Sequence, residues 1–211
     1  MSGRVTALKV QKRNPQRVNV FLDGEYAFGL SRITAAWLQV GQELSDEKVA
    51  QLQAEDARES AYQRATRLLD YRPRSAAEVQ RRLREKDIPD EVISDVSERL
   101  QRSGLVNDER FAQTWVENRS AFRPRGRRLL AAELRQRGVE SEAIEQALDG
   151  LDEEELAYQA GLKQSRRLAG LERVDFQRRL AGFLLRRGFG YAVIKPVIER
   201  IWNEMDREVR A

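Results

Sequence analysis

The sequence predicts a mainly α-helical protein: a tandem array of three three-helix repeats preceded by a small N-terminal β-hairpin or meander and a short helix. Three observations carry this reading. Apolar alternation is confined to the first thirty residues, helical character runs from Ser45 without a glycine or proline until Pro73, and a short motif returns at a nearly constant spacing.

The N-terminal segment comes first. Val18, Val20 and Leu22 alternate with Asn19 and Phe21, Asp23-Gly24 follows, and Tyr26, Phe28 and Leu30 resume the alternation. Period-two patterning around an Asp-Gly dipeptide is the signature of a hairpin, because that dipeptide tolerates the positive φ angles of a two-residue turn. Val5 to Val10 offers a third strand, joined through Asn14-Pro15. A hairpin alone is marginal in water, so it needs a helix to pack on, and Ser31 to Val40, ending at Gly41, is the candidate.

Ser45 then caps a helix whose first turn carries Asp46 and Glu47, acids that favour the positive end of the helix dipole. Everything beyond repeats. Arg72-Pro73-Arg74 returns as Arg123-Pro124-Arg125, and the same offset pairs Leu83 with Leu134, Lys86 with Arg137 and Ile93 with Ile144. A further shift brings Leu134 onto Leu184, Arg137 onto Arg187, Gly138 onto Gly188 and Ile144 onto Ile194. Each repeat fits three helices, in the middle one roughly Asp108 to Ser120, Gly126 to Arg137 and Ser141 to Leu151. Proline forces the preceding arginine out of helical geometry and suits a helix's first turn, so Arg-Pro-Arg marks a helix start. Gly138 and Gly188 end the second helix in a left-handed conformation, and Asp87 must do so in the first repeat or turn differently. Val79 and Leu83, Ala131 and Leu134, and Leu180 and Leu184 give the three second helices a buried side. The resulting division is residues 1–44 for the hairpin and short helix, then 45–106, 107–151 and 152–211 for the repeats. Small helical repeats of this kind stack on their neighbours in an elongated array, which spreads function along a surface.

Composition excludes several chemistries. The chain has no cysteine and no histidine, so it has no disulfide, no thiolate nucleophile, no imidazole base and no zinc site of the usual ligands. No glycine-rich loop ends in Lys-Ser or Lys-Thr, and the acids Asp152 to Glu155 point in successive directions round a helix start rather than converging. The sequence therefore predicts no enzyme, no metal and no cofactor. Apolar runs far short of about 20 residues and the missing apolar leader predict a cytoplasmic protein without a membrane partner.

Charge is informative through its placement. The net charge is +4, but Arg72 to Lys86 carries +4 and Arg123 to Arg137 and Arg166 to Arg187 carry +5 each, which leaves −10 for the rest. Three basic segments in an acidic frame point to a polyanionic partner. In the first repeat the candidates are Arg72, Arg74, Arg81, Arg82, Arg84 and Lys86. Arg123, Arg125, Arg127, Arg128, Arg135 and Arg137 follow in the second, and Arg178, Arg179, Arg186 and Arg187 in the third. Guanidinium forks match phosphate oxygens, and each neutralised phosphate releases counterion, so salt-sensitive binding without base readout is expected. Tyr71 and Phe122 stand beside the Arg-Pro-Arg elements as stacking candidates, but large aromatics at helix junctions pack inward, and both are expected in the core.

The chain resembles the RecX regulators of the RecA recombinase. The residues that carry the resemblance are Arg72-Pro73-Arg74-Ser75 with Glu78 and Leu83, and the run Gly104-Leu105-Val106-Asn107-Asp108-Glu109-Arg110-Phe111-Ala112. Gly126, Leu130, Glu133-Leu134 and Gly138-Val139, then Phe183-Leu184 and Arg187-Gly188-Phe189, continue it. Val5 to Val40 looks like the extension some members carry. Asp87, where the family tends to have glycine, and the long link Gln164 to Asp175 are departures. The resemblance implies a non-enzymatic protein that binds RecA filaments on single-stranded DNA, lodges in the filament groove, and inhibits ATPase, strand exchange and co-protease activity; separately, the chain is expected to be a monomer. Single-stranded DNA would be a weak, non-specific partner, with duplex DNA in second place. The runner-up is a nucleic-acid-binding protein of helix-turn-helix type acting without the recombinase. Against it, base readers mix asparagine, glutamine and serine with arginine, and these helices offer nearly all arginine.

Overall fold

The structure, a computed structural model, describes residues 2–210, with side chains described through Arg207. The chain forms two compact units: one runs to Arg74 and includes Val79–Val106, and the other comprises Ser75–Glu78 and everything from Asn107 on.

In the first unit, strands β1 (Gly3–Gln11), β2 (Asn14–Leu22) and β3 (Glu25–Ser31) form an antiparallel meander, and β4 (Glu43–Leu44) adds to the free side of β1, giving the order β3-β2-β1-β4. The turn between β2 and β3 is Asp23-Gly24, with φ of 49° and 91°, as the dipeptide requires. The turn between β1 and β2 differs from expectation. Gln11 pairs with Asn14, so Lys12-Arg13 make the turn, and Asn14-Pro15 open β2, where a residue without an N–H costs no interior ladder bond. Val5, Val18, Val20, Leu22, Phe28 and Leu30 share the buried face.

The short helix α1 spans only Arg32–Ala35, not Ser31 to Val40. The Ser31 hydroxyl caps it by accepting from the Thr34 N–H. Beyond it the chain must turn for two reasons: Leu38 enters the core, and the Gly41 N–H and Gln42 carbonyl bond to Val5 on the edge of β1. The helix that covers the sheet is instead α2 (Asp46–Tyr71), through Val49 and Leu52. Its Asp56 accepts from the Ser31 N–H (2.5 Å) and from Arg17 Nη2 (2.9 Å), a buried anchor between sheet and helix. Ser45 caps α2 as expected, accepting from the Lys48 N–H. Helices α3 (Ala76–Arg84) and α4 (Asp90–Arg102) follow, and Val79, Leu83, Ile93, Val96 and Leu100 are all buried. Asp87 takes the left-handed conformation itself, at φ 55°.

In the second unit, α5 (Asp108–Phe122), α6 (Arg127–Gln136) and α7 (Ser141–Leu148) pack around Phe111, Val116, Leu130, Leu134, Ile144 and Leu148. Then α8 (Glu153–Ser165), a 3-10 turn at Arg166–Leu168, α9 (Arg173–Arg186) and α10 (Tyr191–Arg210) enclose Leu156, Phe176, Leu180, Leu184, Phe189 and Ile201. The tandem three-helix arrangement behind a small sheet is therefore present. The Arg-Pro-Arg elements lie just ahead of α3 and α6 rather than in their first turns: Arg72 and Arg123 are non-helical, and Ser75 and Gly126 stand immediately before the helices.

One joint is built twice in this unit. Ser75 Oγ donates to the Arg137 carbonyl (2.5 Å), and at the equivalent place the Gly126 N–H donates to the Arg187 carbonyl (2.9 Å). Gly138 and Gly188, at φ 75° and 88°, turn the chain away after those carbonyls. The second copy is tighter, since a Cβ on Gly126 would stand 2.3 Å from the Gly188 carbonyl oxygen. Glycine is needed there for close approach.

Candidate nucleic-acid interface

The candidate cations divide into those the fold uses and those it leaves to solvent. In the first unit, the Arg72 guanidinium donates to the Pro73 carbonyl and Arg74 Nε to the Leu68 carbonyl (3.1 Å), so both turn back on their own chain. Arg82 pairs with Glu85 (2.7 Å) and Arg84 with Asp90 (2.8 Å), exposed pairs worth little in water. Arg81 and Lys86 are exposed and, among the described residues, make no ion pair or side-chain hydrogen bond.

The division is sharper in the second unit. Glu133, nearly buried, pairs with Arg125 and accepts from Arg119 Nε (3.2 Å) and Trp115 Nε1 (2.9 Å). Glu78, only 3% exposed, holds Arg137 at 3.0 Å. The Arg119 and Arg137 guanidinium groups also lie over the Trp115 ring, 4.2 and 3.9 Å from its centre. Arg127 reaches the Leu148 carbonyl (2.6 Å), and Arg187 lies over Phe183 and donates to the Pro124 carbonyl. Arg178 pairs with Asp175 at the surface. Arg123, Arg128, Arg135, Arg179 and Arg186 remain exposed, with no side-chain partner among the described residues. The Arg125 guanidinium is pushed below its ordinary range, first by burial and then by the positive charges of Arg119, Arg187 and Arg123. Cations are thus crowded around the α5–α6 junction.

At that junction Phe122, Arg123 and Pro124 line one side of an open cleft of about 220 Å³, with Lys163, Gln164, Arg167, Phe183 and Arg187 among the residues completing it. Phe122 is 76% exposed and Tyr71 85%, so neither is the core residue expected of it. Ala112 and Val116 set the buried stripe of α5, whose next positions are 119 and 120, and Ala61 and Ala65 set that of α2, which continues to 68 and 69. Yet steps of three from Val116 and Ala65 also reach Phe122 and Tyr71, so phase alone does not separate them from the core; what they share is their place as the last residue of α5 and of α2. Lys163, late in α8, and Arg167, in the 3-10 turn after it, were missed because they lie outside the Arg-Pro-Arg pattern, though Arg167 belongs to the third basic segment.

Four family models cover most of the chain: "Regulatory protein RecX N-terminal domain" at residues 3–45, and "RecX, first three-helix domain", "second" and "third" at 61–100, 107–148 and 152–198. Among curated relatives, the Regulatory protein RecX of Bacillus pumilus is 31% identical over 97% of this chain and 80% of its own length. This chain belongs to the RecX family. The Regulatory protein RecX of Thermobifida fusca is 40% identical over 71% of this chain and 87% of its own. A crystal structure of regulatory protein RecX superposes with a TM-score of 0.77 at 25% identity, covering 94% of this chain and all of that one. The crystal structure of RecX from Lactobacillus salivarius gives 0.65 at 25% identity over 70% and 97%. The fold and family expected from the repeated motif are thus both found. The family is one of regulatory proteins, and among the described residues no helix is long and apolar enough to cross a membrane.

Proposed function

We propose that this chain is a non-enzymatic regulator that binds RecA filaments on single-stranded DNA, lodges in the filament groove and suppresses ATPase, strand exchange and co-protease activity. Its contact surface is the set of exposed cations without an ion pair among the described residues on the second helix of each repeat or in the turn just after it: Arg81 and Lys86, Arg128 and Arg135, Arg179 and Arg186. The observation that carries the reading is that split between roles. The fold consumes Arg125 and Arg137 in ion pairs with nearly buried carboxylates, yet each basic helix keeps charges that no carboxylate among the described residues satisfies. Unsatisfied guanidinium groups on successive helices suit a ligand with periodic negative charge. The working division remains residues 1–44, 45–106, 107–151 and 152–211.

The test is DNA-dependent ATP hydrolysis by preassembled RecA filaments. Wild-type chain should inhibit at well below one molecule per protomer, and R128E/R135E should raise the half-inhibitory concentration about tenfold, against little change for E153K/E154K. Equal losses for both double variants would remove the basic helices as the contact surface. Sequence-dependent binding to bare duplex at physiological salt, without inhibition, would instead favour a regulator acting without the recombinase.

A further inference from the structure

The cleft beside Phe122 has a composition that the basic-helix reading does not account for. Among the described residues its lining contains four cations, Arg123, Lys163, Arg167 and Arg187, and no carboxylate. Three of them, Arg123, Lys163 and Arg167, are exposed and make no ion pair or side-chain hydrogen bond among the described residues. At one edge stands a phenylalanine ring that the fold does not bury, and Phe183, with the Arg187 guanidinium 5.0 Å from its centre, lies among the same lining residues. An apolar ring kept in water beside uncompensated positive charge is unfavourable on both counts until something both flat and anionic arrives.

We propose that this cleft holds one unstacked base of a single-stranded nucleic acid against Phe122, with the flanking phosphates on Arg123, Lys163 and Arg167. Stacking on aromatic side chains along a cationic track is the sequence-tolerant way proteins hold single strands, because every base has a π-face. Duplex is excluded, since its bases are already stacked on one another. The volume argues for one base rather than a free cofactor: about 220 Å³ is below the roughly 300–1,000 Å³ of pockets that enclose a drug-sized molecule. Gln164 in the lining supplies an amide that can both donate to and accept from a base edge, which biases nothing strongly. The inference rests on the reading of the chain as a ligand of DNA-bound filaments, and it assigns the base-stacking contact to a site distinct from the exposed faces of the three basic helices, which meet phosphates alone.

The experiment measures anisotropy of a short fluorescein-labelled oligothymidylate, and of an abasic strand of equal length, with full-length protein. Phe122 is exposed, so F122A should leave the melting temperature unchanged. It should weaken oligothymidylate binding about tenfold, the size expected of one lost stack, with the salt slope unaltered. On the abasic strand F122A should change nothing, and wild type should bind that strand about as weakly as F122A binds oligothymidylate. K163Q/R167Q should weaken both strands equally and flatten the slope of log affinity against log salt by about 1.4. Equal affinity of wild type and F122A for oligothymidylate overturns the proposal. If F122A relieves RecA inhibition with no change in oligonucleotide affinity, the cleft takes an acidic protein segment, and the proposal fails while the filament reading stands. If wild type loses RecA inhibition only through the R128E/R135E pair and F122A is silent throughout, the basic helices alone make the contact and the cleft is empty of function.

Discussion

At the scale of single residues, the same side-chain type does opposite jobs a few positions apart. Arg125 and Arg137 are held by nearly buried carboxylates, Glu133 and Glu78, and removing either acid would strand a guanidinium in a poorly hydrated place. Arg128 and Arg135, on the helix between them, touch no acid among the described residues. Asp108 shows the cost of a charge used structurally. Its carboxylate accepts from the Ala76 N–H at 2.8 Å, but its pKa is raised, chiefly by burial, against the lowering effect of that hydrogen bond, with Glu140 adding to the rise. A carboxyl group with a folded pKa above its unfolded one binds its proton more tightly in the native state, so stability falls as pH rises through that interval and the deficit persists at neutral pH. D108N keeps the acceptor and removes the charge. It should melt slightly higher than wild type at neutral pH, by well under about 1 kcal/mol because the site is half open to water, and the advantage should vanish below about pH 4, where both states are protonated. A lower melting temperature for D108N at neutral pH would mean that the charge-assisted bond to Ala76 outweighs the burial cost.

At the scale of elements, the endings of the second helices are where the repeats differ. Gly138 and Gly188 accept positive φ freely, whereas Asp87 does so at φ 55° with a Cβ in the way. D87G should therefore stabilise the chain by about 0.5–1 kcal/mol, read as a shift in the urea midpoint at unchanged m-value. The helix starts behave oppositely. Ser75 fills the first joint with a hydroxyl that both donates to the Arg137 carbonyl and accepts from the Glu78 N–H. Copying that serine into the second joint should fail: in G126S the new Cβ meets the Gly188 carbonyl oxygen at 2.3 Å, and a loss of about 2–3 kcal/mol is expected. Comparable stability for G126S and wild type would show that the joint has slack. These endings were legible in advance because glycine and proline act locally. The length of α1 was not: Ser31 to Val40 reads as one helix until Gly41, Gln42 and β4 are seen to need the edge of β1, a pairing across some forty residues that no local pattern encodes. Tyr71 and Phe122 were not legible either: their spacing fits a buried stripe, and only their place as the last residue of α2 and of α5 sets them apart.

At the scale of the whole molecule, the sequence separates charge into basic segments of +4, +5 and +5 within a frame of −10, and the fold then withdraws part of the basic charge into ion pairs. What remains available is fewer cations than the count suggests, and they are distributed over all three repeats, which the sequence could show, while their division into paired and free could not be read without knowing which acids fold against them. Distribution has a measurable consequence. If single-stranded DNA runs across successive repeats, R81Q, R128Q and R179Q each remove one phosphate contact on a different helix, and losses at side chains that share no partner add. Each should then reduce the slope of log affinity against log salt by about 0.7, and the triple variant by about 2, with melting temperatures unchanged because none of the three side chains has a partner among the described residues. If instead a single repeat makes all the contact, one of the three substitutions reproduces the whole effect of the triple and the other two leave the slope where it was. That result would confine the interface to one three-helix repeat and leave the repetition of the basic helix a matter of folding alone.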